Sequence, residues 1–437
     1  MIAPARSAAY ATLIAIERGP VDLASALARA RTGVTDERDR ALAGEIATGT
    51  LRWRAAFDHV IAEFANRPLN RLDPEVLTIL RLSLFQLLHL DRVPAAAIVD
   101  DAVQMARKAG KTSAAPFVNA LLRRASRERR NLPLPRRPGQ DASDEDWGAY
   151  LAISLAHPRW LVDRWVARYG REATEAWETF DNSPAPLTLR ANTLRISRDD
   201  LAARLHDAGV VTERCTRARD GLVVRSGNPL ATALAHSGAF FIQDEASQLV
   251  AEFADARPGE RVLDACASPG NKTTAMAAHM RDDGVIVACD VRERRVRLLD
   301  RTIRESGSRA VRIAALDASR PLPFGAAFDL VLIDAPCSGL GVLRRDPDIK
   351  WRRSWEDLPP LAALQRQMLA AAAAVVRPGG RIVYSTCSSE PDENEDVVAG
   401  FLAETPGFEK SGDPLRTLPF GDGLEAFYAC RLIRVNC

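Results

Sequence analysis

Between residue 4 and about residue 130, apolar positions recur every three to four residues, the period of amphipathic helices. In "RLDPEVLTILRLSLFQLLHL" (71–90), Leu77, Leu80, Leu84 and Leu88 mark one face, and further apolar residues fill the others. That pattern predicts a helix buried at the centre of a bundle. Asp73 stands where an N-cap belongs and Pro74 where the first helical residue belongs. A second helix runs through "AAAIVDDAVQMARKAG" and stops at Gly110, a natural C-terminal cap. A third, "PFVNALLRRASRERR", closes on five arginines within eight residues. Those cations suit a helix C-terminus, and they equally suit phosphate.

The pattern then changes twice. "NLPLPRRPGQDASDEDW" (131–147), with three prolines and an acidic patch, reads as a linker. Residues 148–235 mix helices with short strands in a small α/β unit. From about 236 to 437, short continuous apolar strands alternate with helices: "RVLDACA", "GVIVACD", "VRIAALD", "FDLVLIDAP" and "RIVYSTC". Strands of that kind joined by helical crossovers predict a parallel sheet covered on both faces, a Rossmann-like α/β domain. Ligands of such sheets bind beyond the carboxyl ends of the strands. Asp264, Asp290, Asp317, Asp334 and Cys387 all fall there.

Composition narrows the class. No apolar run approaches the ~20 residues that cross a bilayer, and the opening stretch reads as an amphipathic helix, not a signal peptide. A cytoplasmic protein without a membrane partner is expected. The seven cysteines form no C-x-x-C pair and the six histidines no ligand spacing, so neither a disulfide framework nor a metal is expected. The net charge of +2 conceals an asymmetry: residues 1–140 carry 22 Lys+Arg against 14 Asp+Glu, and the remainder 37 against 43. A basic front half points to an anionic partner, nucleic acid foremost.

The loop "CASPGNKTT" (266–274) discriminates between cofactors. Gly270 stands alone, and Asn271 precedes Lys272, so neither the dinucleotide fingerprint nor the P-loop pattern is met. Asn271 could occupy the left-handed region in a tight turn. Asp290 closes the second strand, where an acid can accept both ribose hydroxyls. An adenosine ligand without phosphates, S-adenosylmethionine, fits these residues best. Asp264 and Asp317 could each simply cap the turn that follows. A P-loop ATPase and a non-catalytic RNA-binding protein are the competing classes; the first lacks its glycines, and the second leaves the cysteine loops without a role.

Two cysteines sit on strand-end loops, in "DAPCSGLGVLRRDPDIKW" (334–351) and "YSTCSS" (384–389). Carbon 5 of cytosine becomes nucleophilic when a thiolate adds at carbon 6 and a carboxyl group assists at N3; a base must later remove the carbon-5 proton. That chemistry needs one attacking cysteine, an acid and a base around one pocket. Asp334, Cys337 and Cys387 supply them, and spacing alone leaves open which thiol attacks. Arg344, Arg345, Lys350 and Trp351, just beyond, read either as an RNA rim with a stacking tryptophan or as packing and solvent contacts.

"VLDACASPGNKTT", "DVRERR", "DAPCSGLGVLRRDPDIKW", "YSTCSSEPDENEDVV" and "FIQDEAS" resemble the motifs of RNA cytosine-5 methyltransferases, in particular the bacterial Sun (Fmu) group, methyltransferase B of the small-subunit ribosomal RNA. Residues 4–130 look like the helical antitermination factor NusB. The resemblance implies that Cys266, Ala267, Ser268, Pro269, Gly270, Asn271 and Lys272 wrap S-adenosylmethionine. It implies that Asp290 and Asp317 hold the ribose and adenine, that Arg295 lies in the cofactor region, and that Asp334 stands between cofactor and base. It implies Cys387 as nucleophile and Cys337 as the cysteine of product release. DNA cytosine methyltransferases, which attack from the Pro-Cys loop, would favour Cys337. Where the family has two glycines this chain has Gly270 and Asn271, which could weaken cofactor binding. The implied substrate is one hairpin-loop cytosine of 16S ribosomal RNA, methylated before ribosome assembly is complete; transfer RNA or 23S ribosomal RNA is the alternative. A monomer is expected.

Overall fold

A computed structural model describes residues 2–435. The chain forms two compact units: Met1–Ser183 with Leu343–Arg353, and Pro184–Val342 with Ser354–Cys437. The first is helical. Its central helix, Pro74–His89, buries eleven of its sixteen residues on all faces, as the pattern predicts. Ile79, Leu80, Leu82 and Leu84 are fully inaccessible, and each such side chain contributes about 1.5–3 kcal/mol on burial. Arg81, on the same helix, is buried because the Asp58 carboxylate accepts two of its N–H groups at 2.6 and 2.8 Å.

Asp73 holds the N-cap position but makes no cap hydrogen bond; its carboxylate pairs with Lys111 at 2.9 Å instead. Gly110 takes φ +78° just past the helix Ala95–Lys108, as a C-terminal glycine should. The proline-rich stretch 131–147 is packed rather than free. Arg137 donates twice to Glu175 at 2.7 Å, Ser154 donates to the Pro135 carbonyl at 2.6 Å, and Trp147 is buried. The expected block 148–235 divides at Ser183, its helices Arg159–Tyr169 and Arg171–Asn182 belonging to the helical unit.

The second unit opens with a small antiparallel sheet of β1 (Thr188–Ala191), β2 (Val211–Arg214), β3 (Gly221–Ser226) and β4 (Phe240–Ile242), in the order β2-β3-β1-β4. The main sheet contains β5 (Arg261–Asp264), β6 (Val285–Asp290), β7 (Val311–Ala315), β8 (Phe328–Asp334) and β9 (Val376–Thr386). It is completed by β10 (Phe408–Lys410), β11 (Leu415–Thr417) and β12 (Phe427–Arg434). The order is β10-β12-β9-β8-β5-β6-β7, with β11 paired to β12. The five strands β9 to β7 are parallel, as expected. β12 runs antiparallel to β9, so the sheet is mixed rather than wholly parallel. It returns from β11 through a short connection carrying one four-residue helix, Pro419–Asp422, which antiparallel pairing permits. Strand order reverses between β5 and β8, and this switch point sets where a ligand binds.

Candidate active site

The register of β8 and β9 brings the two cysteine loops together. Asp334 lies opposite Ser385 across the parallel pair. Cys337 follows three residues beyond the first and Cys387 two beyond the second, and their Sγ atoms stand 3.3 Å apart. The Gly341 N–H donates to the Cys387 carbonyl at 3.0 Å, so the backbones are stitched as well. Gly341 is required there: a Cβ would lie 2.0 Å from the Ala426 carbonyl oxygen. Both thiols are half-buried. The hydrogen bond with Cys387, burial and the charge of Glu393 push the Cys337 thiol well above its usual range.

Asp334 joins this pair to the loop that follows β5. Its carboxylate accepts from Lys272 Nζ at 2.6 Å and from Ser385 Oγ at 3.0 Å. Burial alone would lower the Lys272 ammonium, but the Asp334 carboxylate outweighs it and holds the group above its ordinary value. Lys272 therefore stays charged, and one ion pair links the helix that follows β5 to the acid that ends β8.

The loop itself is shaped from three sides. Gly270 takes φ +108° and precedes the helix Asn271–His279. The left-handed residue of the turn is thus Gly270, and Asn271 is the first helical residue; the expectation that Asn271 would adopt positive φ is corrected. The Asn271 amide donates to the Ile242 carbonyl at 3.1 Å, and its own carbonyl accepts from buried Arg190 at 3.1 Å. Arg190 also donates to Thr274 Oγ1 at 2.7 Å and Gln243 Oε1 at 2.6 Å. Across the loop, Ser268 Oγ donates to the Arg295 carbonyl at 3.0 Å and Arg295 returns a bond to the Ser268 carbonyl at 3.1 Å.

Asp290 is buried at the end of β6, with the Arg292 N–H at 3.3 Å and the Arg295 guanidinium at 3.5 Å. Asp317 is more exposed, and Ser319 donates to it through both N–H and Oγ; these bonds, chiefly that of the Ser319 hydroxyl, hold its carboxyl below the usual range. A buried carboxylate at the end of β6, a second acid beyond β7 and a loop without a phosphate-binding glycine run suit a ribose and an uncharged base better than a pyrophosphate. The donor set fits S-adenosylmethionine.

Asp264 serves this loop from beneath. It is buried and accepts from Thr273 Oγ1 at 2.7 Å, a side-chain bond to the following helix and not a cap of its N-terminus. Burial pushes its carboxyl up to about 7, with Asp334 adding to the shift against Thr273 and Lys272. Between its ordinary value of 3.8 and about 7, the unfolded chain has lost a proton that the folded one keeps. Stability from this group therefore falls as pH rises through that window, by at most about 4 kcal/mol at roughly 1.4 kcal/mol per pH unit. Asp264→Asn should accordingly gain on the unsubstituted protein between about pH 5 and about pH 8 in urea denaturation. A stability difference independent of pH would mean that Asp264 is ionised in the fold.

The residues after the Pro-Cys loop do not form an exposed rim. Leu343–Arg353 is built into the helical unit. Trp351 Nε1 donates to the Leu51 carbonyl at 2.6 Å, and the ring packs on the bundle core. Lys350 is buried, with Nζ 3.1 Å from Asn182 Oδ1 and 3.3 Å from the Ala156 carbonyl. Burial lowers this ammonium to about 7. Arg344 lies over the Phe180 ring at 4.3 Å. Packing, not base stacking, is what the structure assigns to Trp351 and Lys350.

One buried acid was not anticipated. Glu393 accepts from Ser338 and Ser388, the residues that follow the two cysteines. In sequence it is one of several acids in "EPDENED", with no spacing to single it out. Among the described residues no group of three or more His, Cys, Asp or Glu could hold a metal, and no helix is long and apolar enough to cross a membrane.

A family described as 16S rRNA methyltransferase RsmB/F matches residues 251–424, the NusB family residues 3–127, and an RsmF/B-like ferredoxin-like domain residues 157–231. The probable ribosomal RNA small subunit methyltransferase B of Bacillus subtilis is 35% identical over 88% of this chain and 84% of its own. The ribosomal RNA small subunit methyltransferase B of Pseudomonas putida is 34% identical over 98% of each. Among solved structures, PH0851 superposes with a TM-score of 0.81 at 24% identity over 98% of both chains. A methyltransferase homolog from Pyrococcus horikoshii gives 0.59 at 28% identity, over 67% of this chain and all of its own.

Proposed function

The chain belongs to the RsmB/F family of small-subunit ribosomal RNA methyltransferases, which use S-adenosylmethionine, and from that premise we propose that it methylates carbon 5 of one cytosine in 16S ribosomal RNA through a covalent adduct to Cys387. The observation that carries the reading is the pair of thiols 3.3 Å apart beside an acid tied to the cofactor loop. A transfer to a ring nitrogen, an exocyclic amine or a ribose hydroxyl needs no thiol. Transfer to carbon 5 needs a nucleophile that adds at carbon 6 and is later expelled.

When bound, the cofactor supplies a methyl group on a sulfonium. Residues 266–272, with Asp290, Arg295 and Asp317, hold it. The Cys387 thiolate adds to carbon 6, and Asp334 assists at the pyrimidine edge as the ring accepts electron density. After transfer the carbon-5 proton passes to a base, the carbon–sulfur bond breaks and the thiolate leaves; Cys337 assists this release. The hydrogen bond with Cys387, burial and Glu393 together raise the Cys337 thiol, which suits it to that part better than to attack. The target base must leave its stack to reach such a pocket, so loop RNA not yet enclosed in a finished subunit is the substrate. The basic helical unit docks it. In this reading the protein acts as a monomer.

Bisulfite sequencing of ribosomal and transfer RNA from cells with and without the gene tests the reading. One protected 16S cytosine should disappear with the gene. Loss of a mark in transfer RNA or 23S ribosomal RNA instead would overturn the substrate, and no lost carbon-5 mark would overturn the chemistry.

A further inference from the structure

Sheet register alone does not hold the two thiols in contact, because each lies beyond the last hydrogen-bonded residue of its strand. Besides the Gly341 bond to the Cys387 carbonyl, what crosses between their loops is the carboxylate of Glu393, which is fully inaccessible to solvent. One of its oxygens accepts from the Ser338 N–H at 2.8 Å and from Gln365 Nε2 at 3.1 Å. The other accepts from Ser338 Oγ at 2.5 Å and Ser388 Oγ at 2.6 Å. Ser338 follows Cys337 and Ser388 follows Cys387, and the two hydroxyls are themselves 3.1 Å apart.

The clamp is fastened behind. Tyr384 donates to the Glu393 carbonyl at 2.5 Å, and the Asn394 amide donates to the Ser388 carbonyl at 3.0 Å. Gln365 reaches the Pro336 carbonyl at 3.0 Å with the amide that also serves Glu393. A buried carboxylate is costly to desolvate, and an apolar side chain would fill the same space without that cost. A carboxylate, with two acceptor oxygens and no donor, can take all four of these hydrogen bonds from the two cysteine loops and Gln365 at once.

We propose that Glu393 is the positioning residue that fixes Cys337 against Cys387, and so sets the rate at which the covalent adduct is released. The inference rests on the carbon-5 chemistry proposed above. Glu393 does not touch the base; it acts through Ser338 and Ser388. Displacements of about 1 Å at reacting groups can cost ~10²-fold in rate. Release, which needs both thiol loops in register, is the step a loosened clamp slows most.

The test uses the full chain with Glu393→Gln, whose amide keeps one acceptor, and separately with Ser338→Ala and Ser388→Ala together. Each is mixed with an RNA hairpin carrying the target cytosine and S-adenosylmethionine, and the half-life of the gel-stable protein–RNA adduct is followed. Both variants should lengthen it at least about tenfold, with cofactor affinity by calorimetry within about twofold and little change in KM for RNA. An unchanged half-life in either variant that still binds cofactor overturns the proposal. Should Glu393→Gln lose cofactor binding through misfolding, the double serine variant decides alone. The unsubstituted protein with 5-fluorocytosine RNA separates the two levels. No adduct there sinks the carbon-5 reading itself, whereas a normal adduct with unaffected variants sinks only the role of Glu393.

Discussion

Replacing Cys387 with alanine is expected to abolish methylated product while leaving affinity for S-adenosylmethionine within about twofold. Without addition at carbon 6, carbon 5 remains part of an aromatic ring and is a poor partner for a sulfonium. The loss should reach at least ~10⁴-fold in kcat/KM, corresponding to more than about 5 kcal/mol of transition-state stabilisation. The cofactor residues are held by Arg190, Arg295 and Thr273, none of which bonds to Cys387, so binding survives. The test is severe because a second thiol stands 3.3 Å away. Residual methylation of more than about one per cent would mean that Cys337 can attack. Transfer of a methyl group from labelled S-adenosylmethionine to the RNA hairpin reads the rate.

Cys337→Ala should have the opposite signature. Attack by Cys387 and methyl transfer proceed, release fails, and protein becomes trapped on RNA as a complex stable in a denaturing gel. Multiple turnover should fall ~10²–10³-fold, the usual scale for losing one proton-transferring group, while a single methyl per protein is still incorporated. Equal loss of adduct and product would show that Cys337 is needed for attack. Alanine removes little volume here, and the backbone bond from Gly341 to the Cys387 carbonyl remains, so collapse of the loop is not the expected cause of any defect.

How much of this was legible in the sequence depends on the range of the interaction. Helical periodicity and short apolar strands are local, and they led to the bundle, the α/β domain and the strand-end acids. That Asp334 and Cys387 share a site followed from their places at strand ends. That the two sulfurs touch did not, because it depends on β8 and β9 being neighbours in register. Lys350 and Trp351 looked like a surface pair because their local sequence is charged; the carbonyls and the asparagine side chain that bury them come from residues about 170 to 300 positions away. The turn at residue 270 has two residues that could take the left-handed conformation. Asn and Gly both tolerate positive φ, and only the geometry places it on Gly270. The antiparallel strand β12 was missed because an apolar run carries no sign of its direction.

The segment Leu343–Arg353 has a practical and evolutionary consequence. Eleven residues that follow the Pro-Cys loop are structural members of the helical unit, so the two units are not separable modules joined end to end. A catalytic fragment begun at Pro184 would carry a tryptophan and a lysine whose sockets had been cut away. A helical fragment ended at Ser183 would have a hole where they belong. Transplanting either half into a relative therefore requires this insert to travel with the helices.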